Sequence, residues 1–147
     1  MLIGVPASGK TTWTIKNHPS IGYASTDKYI DRFAAERGVS YDDAFDTSIK
    51  EATSLMIEEV GTYVVEEKDF VWDQTNLSKK SRAKKLKFLS DYNVVAVVFE
   101  TPEKSVLKER LDRRPGKTIP HSVLKSMLES FELPTIDEGF SKIVIAE

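Results

Sequence analysis

Gly4-Val5-Pro6-Ala7-Ser8-Gly9-Lys10-Thr11 is a full G-x-x-x-x-G-K-[ST] run. These residue types at this spacing suit a polyphosphate. Successive backbone N–H groups can wrap a phosphate, and a side chain at either glycine would crowd that approach. The helix that follows aims its positive N-terminal end at the same charge. Lys10 supplies a point charge for the β and γ phosphates, and Thr11 a hydroxyl for Mg²⁺. Gly4, Pro6, Ala7, Ser8, Gly9, Lys10, Thr11 and Thr12 are therefore the candidate contacts to ATP or another NTP. The run gives nucleotide binding without separating a kinase from a GTPase or a motor ATPase. There is no N-K-x-D guanine motif, and the chain has the size of a small phosphotransferase rather than a motor.

Two acids follow short apolar runs and so fall at the carboxyl ends of predicted strands, where open α/β sheets bind ligands. Asp27 there can accept the proton of an attacking hydroxyl, or cap the helix that starts at Lys28. Asp73, after Phe70-Val71-Trp72, can hold a water on Mg²⁺, or open an Asx-type turn. Arg110, Arg113 and Arg114 precede Pro115-Gly116-Lys117. That pattern suits a lid closing over the nucleotide and neutralising charge on a transferred phosphoryl group, or a basic helix end complementing its own dipole. His18 and His121 have no ligand spacing. Trp13 and Trp72 are most simply core residues beside the loop.

The elements that must position these residues follow from hydrophobic patterning. Strands are expected at Leu2-Ile3, at 21–24, at 70–72, at 94–99 and at 143–145. Helices are expected from Lys10 to Lys16, Asp27 to Arg37 with Gly38 as a stop, Tyr41 to about Glu67 with a possible break at Gly61, Lys79 to Leu89, Pro102 to Arg113 and Pro120 to Phe131. Alternating strands and helices predict an α/β fold, a doubly wound, mostly parallel sheet of about five strands with helices on both faces and an arginine-bearing lid. A chain of 147 residues has room for one such domain. With no cysteine, disulfides, thiolate catalysis and cysteine zinc sites are excluded. The net charge of −2 means that a bound nucleic acid must meet a local basic patch. The lysines between Lys79 and Lys87 offer one, or form a solvated helix face. No signal peptide and no apolar run of membrane-spanning length is evident, so a cytoplasmic location is expected.

Taken together, four stretches resemble the kinase domain of the polynucleotide 5′-hydroxyl kinases, of both the bacteriophage type and the animal polynucleotide kinase/phosphatase type. They are the loop with its trailing Thr12-Trp13, the D-x-T-N run Asp73 to Asn76, the segment from Arg110 to Met127, and the F-E-x-P-T-x-x-E-G-F run Phe131 to Phe140. The resemblance implies Asp27 as general base, Lys10 and Arg114 as phosphate clamps supported by Arg110, and Thr11 and Asp73 at Mg²⁺. It implies transfer of the ATP γ-phosphate to the 5′-hydroxyl of a single-stranded or end-frayed DNA or RNA substrate, with Asp27, Arg32, Thr75 and Asn76 facing that acceptor.

The chain departs from the pattern in places. The phage type has an arginine three residues after the base to hold an acceptor phosphate; here that residue is Ile30, and Arg32 lies two further on. In the phage type the residue two before the asparagine is an acid; here it is Gln74, and the acid is Asp73. There is no D-x-D-x-T phosphatase signature, so a kinase without 3′-end repair is expected. A kinase of the same fold acting on a small hydroxyl compound is the alternative, and a nucleotide-binding module without phosphoryl transfer is a third reading.

Overall fold

Strands apolar on both faces need cover on both sides, and that requirement shapes this chain. The computed structural model describes residues 1–147. Its order is β1 (Leu2–Ile3), α1 (Lys10–Asn17), β2 (Gly22–Ser25), α2 (Thr26–Arg37), α3 (Tyr41–Val65), β3 (Phe70–Asp73), α4 (Lys79–Phe88), β4 (Val95–Val98), α5 (Lys104–Asp112), α6 (His121–Glu129), a 3-10 turn (Ile136–Glu138) and β5 (Lys142–Ile145). All strand pairs are parallel. Alternate residues sort to opposite faces. Ile3, Ala24, Trp72, Ala96 and Val98 pack with Met56 and Val60 of α3 and with Leu86 of α4. Leu2, Val71 and Val97 pack with Phe99 and, from α1, Trp13 on the other face.

The sheet differs from the expected single ladder. A three-stranded sheet in the order β1-β4-β5 lies beside a two-stranded sheet of β2 and β3. The reason is the length of β1, which has only two residues. Where ladder rungs between β1 and β3 would continue, Gly4 N–H donates to Thr75 O at 3.0 Å. The Asn76 side chain supplies the next link, donating to Leu2 O at 2.7 Å. Asn76 has φ 49°, the left-handed backbone that asparagine tolerates well.

Helix ends follow local chemistry. α2 stops in a Schellman arrangement, with Gly38 N–H on Ala35 O and Val39 N–H on Ala34 O. α2 begins at Thr26, so Asp27 is inside its first turn and Ser25 is the cap position. Ser40 and Ser78 cap α3 and α4 through their side chains. α3 runs unbroken through Gly61 for 25 residues, because packing of its buried stripe outweighs the cost of about 1 kcal/mol for one glycine. α5 and α6 begin after their prolines rather than at them: α5 starts at Lys104, and Pro120 is the cap position of α6.

The basic face expected on α4 has an exception. Arg82 is fully buried. Its Nε and Nη2 donate to the two Glu138 carboxylate oxygens at 2.8 and 2.9 Å. Its Nη1 donates to the carbonyls of Asn76 (3.0 Å), Leu77 (2.8 Å) and Glu132 (2.9 Å). One guanidinium thus joins the end of β3, α4 and the Phe131–Phe140 segment, and Glu138 is held below its ordinary pKa, first by that hydrogen bonding. Removing one partner of such a pair strands the other charge. Arg82→Met is expected to cost about 3–5 kcal/mol of stability in urea unfolding. Arg82→Met with Glu138→Gln is expected to recover part of the loss. A single substitution costing under about 1 kcal/mol would contradict this role.

Candidate functional site

The Gly4–Thr11 loop connects β1 to α1, and its backbone alternates into the left-handed region at Ala7 (φ 62°) and Gly9 (φ 104°). Such alternation turns successive N–H groups inward and makes an anion-binding concavity. Gly9 needs its φ; a Cβ there would meet nothing within 4 Å. Gly4 is needed for a different reason from the phosphate approach expected of both glycines. A Cβ on Gly4 would sit 2.8 Å from Ser8 Oγ and 2.9 Å from Phe99 Cβ. Ser8 Oγ is itself buried without a hydrogen-bond partner. In α1 the first N–H to reach a carbonyl of this turn is that of Trp13, on Gly9 O at 2.9 Å. No side chain caps the helix, so its leading N–H groups face the concavity.

Lys10 is buried and folds back, its Nζ donating to Gly4 O (2.9 Å) and Val5 O (2.8 Å). Burial lowers its pKa, against the opposing pull of Asp73 and Asp27. Arg110, from α5, donates to Ala7 O at 3.1 Å and ties that helix to the loop. A cleft of about 1550 Å³ opens in front of these groups. It is lined by the loop from Pro6 to Thr12 and by Asp27, Asp73, Thr75, Arg110, Arg114 and Lys117. That volume exceeds the usual 300–1,000 Å³ of a single-ligand pocket.

Asp73 ends β3 beneath the loop. Tyr23 donates to its Oδ2, and Thr11 Oγ1 lies 3.4 Å from the same oxygen. Burial pushes the Asp73 carboxyl above its ordinary pKa, against the opposing effects of Tyr23 and Lys10. A buried carboxylate and a hydroxyl at the head of a phosphate loop suit Mg²⁺, which keeps several waters and takes its remaining oxygens from nucleotide phosphates. No group of three or more acidic or histidine ligands gathers anywhere in the chain. Tyr23 was not foreseen. Its place in β2, two residues before Ser25, gives it the same sheet face as the strand's end, and periodicity alone could have marked it.

Asp27 stands on another wall of the cleft, with about half of its side-chain surface open. Lys117 Nζ lies 2.7 Å from Oδ2, and Tyr41 OH donates to Oδ1 at 2.6 Å. Lys117 also sits over the Tyr41 ring, 4.1 Å from its centroid. Partial desolvation by the cleft walls would raise the Asp27 pKa. The Lys117 ammonium, its hydrogen bond and the Tyr41 hydroxyl outweigh that and hold it below its ordinary value. The segment carrying Lys117 is pinned to the start of α3: Asp42 N–H donates to Gly116 O at 2.9 Å, and Thr118 N–H donates to both Asp42 oxygens at 2.8 and 3.0 Å. Tyr41 and Asp42 were not foreseen either, since these contacts span from 14 to 76 residues.

The remaining expected site residues divide between the cleft and other places. Arg114 faces the cleft, while Arg113 turns outward to Glu109 at 2.5 Å and does not line it. Arg32 is exposed, pairs loosely with Glu36 at 3.7 Å and stacks near Tyr29 and Phe33. Asn76 is buried and holds Leu2 O, Gln74 O and the Lys85 ammonium, so it braces the sheet rather than facing the cleft. Ile30 is fully buried in the core between α2 and α3.

Residues 1–134 match the family model described as AAA domain. The chain belongs to this family. Its members have a P-loop fold, and the family includes kinases. Nucleotide binding at Gly4–Thr12 and a phosphotransferase class of chemistry therefore follow from the family and the loop together. No helix is long and apolar enough to cross a membrane.

Thr11→Val keeps the shape of the loop and removes the hydroxyl. Losing a hydrogen bond to a charged partner costs about 1.5–3 kcal/mol, which is roughly a ten- to hundredfold change. Calorimetry is expected to show that loss in ATP affinity with Mg²⁺ and little change in EDTA. Equal weakening in both conditions would remove Thr11 from the metal.

Proposed function

We propose that this chain transfers the γ-phosphate of ATP to the 5′-hydroxyl of a DNA or RNA strand. The observation that carries the reading is Asp27: a carboxylate in the first turn of α2, just past β2, in the same cleft as Lys10 and Arg114 and held by Lys117 and Tyr41. ATP lies with its β and γ phosphates in the Gly4–Thr12 concavity. Lys10 leaves its own loop carbonyls for the phosphate oxygens. Arg114 and Arg110 approach from the lid side. Mg²⁺, held through Thr11 and Asp73, would neutralise charge between the β and γ phosphates. The 5′-hydroxyl donates to Asp27, which takes its proton as the 5′ oxygen bonds to the γ phosphorus. The bond from that phosphorus to the β–γ bridging oxygen breaks, and ADP leaves. The protein's part is positioning and charge stabilisation.

A second reading, a small hydroxyl acceptor, is favoured by Ile30. With that position in the core, α2 gives the cleft only Thr26 and Asp27 and no cation for an acceptor phosphate. Both readings use the same donor site and the same base.

Asp27→Asn is expected to lower transfer to a 5′-hydroxyl oligonucleotide about 10²–10⁴-fold, as for loss of a general base, with ATP affinity kept. An unchanged rate would remove Asp27 from the chemistry. The wild-type acid limb is expected below the ordinary aspartate range, because the lowered pKa keeps the base ionised down to lower pH. Lys117→Met removes the largest stabiliser of the charged form and leaves the desolvation. The acid limb of kcat/KM is then expected to move to higher pH; a limb that stays in place would show that Lys117 does not tune the base.

A further inference from the structure

Beyond the cleft, behind Gln74, lies a second groove of about 540 Å³ between α3 and α4. Its charged lining consists of Lys80, Lys84 and Lys85, with no acid, in a chain whose net charge is −2. Trp72 and Phe88 add aromatic surface, and Phe88 is 49% exposed although it is a large apolar residue at a helix end. The groove adjoins the main cleft, with Gln74 and Thr53 lining both. Gln74 is held in place from both sides, accepting from Trp72 Nε1 at 3.2 Å and donating to Thr26 Oγ1 at 3.0 Å, next to Asp27.

Lys85 is half-buried beside the Trp72 ring and donates to Asn76 Oδ1, and burial lowers its pKa to about 8. Lys80 and Lys84 are exposed with no ion-pair partner. Unpaired lysines beside an exposed aromatic ring, in a groove that adjoins the cleft holding Asp27, match the chemistry of a single-stranded nucleic acid. Its phosphates take the cations, and its bases stack without sequence preference.

Resting on the kinase reading above, we infer that the α3–α4 groove holds the acceptor strand downstream of its 5′ end. Lys80 and Lys84 contact phosphates and Phe88 stacks on a base, with Gln74 marking the passage to Asp27. The missing cation on α2 is thus supplied by α4. The groove predicts that an acceptor longer than one nucleotide binds more tightly than a nucleoside 3′-monophosphate, and that the difference is salt-dependent.

The test uses the full chain and Lys80→Ala/Lys84→Ala, two exposed positions, with Lys87→Ala on the same helix outside the groove as control. The probes are a 3′-labelled, 5′-hydroxyl thymidine hexamer and thymidine 3′-monophosphate. Binding of the hexamer is followed by anisotropy across salt concentrations, and transfer of γ-phosphate is measured to both acceptors. Expected for the double variant is a roughly tenfold rise in hexamer Kd and KM. The log–log salt slope should shrink by about 0.7 for each phosphate that the variant no longer neutralises. Kinetics with thymidine 3′-monophosphate and the Lys87→Ala variant should stay at wild-type values. An unchanged hexamer Kd and salt slope, with wild-type transfer intact, would overturn the groove and leave the kinase reading standing. Wild-type transfer to thymidine 3′-monophosphate but not to the hexamer would also overturn it. Hexamer binding that the double variant loses, without transfer by the wild type to either acceptor, would support the groove as a strand site and overturn the kinase reading. Neither binding nor transfer in the wild type would overturn both.

Discussion

One buried guanidinium fixes the active end of this molecule. Arg82 has no access to water and must spend every donor on protein acceptors, so its surroundings are tightly specified. It holds three carbonyls and the Glu138 carboxylate at once. Two of those carbonyls belong to Asn76 and Leu77, just past β3, and the Asn76 side chain in turn reaches Leu2 O in β1. The spacing between the two sheets, and with it the distance from the Gly4–Thr11 loop to Asp73, depends on that chain of contacts. A strand of two residues cannot enforce it through a ladder.

On that frame the cleft arranges charge in opposed sets. Lys10 and the α1 N-terminus lie on the loop side, Asp73 beneath them, and Asp27 across the way with Lys117 and Tyr41. The two acids sit in contrasting environments. Burial raises Asp73, which suits a carboxylate that a divalent cation stabilises. Lys117 lowers Asp27, which suits a base that must stay ionised. In the proposed reaction, these opposite shifts would divide the work between metal and proton.

Much of this was legible in the sequence because it rests on local rules. The loop motif, the apolar runs that became all the strands, and the Gly38 stop are encoded within a few residues of where they act. The parallel α/β class and the cleft at the strand ends follow from them. The roles of Arg82, Asn76 and Tyr23 were not legible. A lysine-rich helix hides its one buried cation, because burial depends on Glu138, which lies 56 residues away. Asn76 was expected to face the acceptor, yet it acts as a brace, and Glu138 of the F-E-x-P run does the same. Arg113 and Arg114 were indistinguishable as neighbours until the end of α5 sent one outward and one into the cleft. The two-residue first strand was expected, but patterning does not say which neighbours so short a strand can pair with, so the division of the sheet was not legible.

The proposed reaction turns on Asp27 receiving the proton of an acceptor hydroxyl placed in line with the nucleotide. A crystal structure with a non-hydrolysable ATP analogue, Mg²⁺ and a 5′-hydroxyl dinucleotide tests it most directly. The 5′ oxygen is expected within about 2.6–3.2 Å of an Asp27 carboxylate oxygen and facing the γ phosphorus. A dinucleotide bound with its 5′ oxygen away from Asp27, or with another hydroxyl in that place, would contradict it.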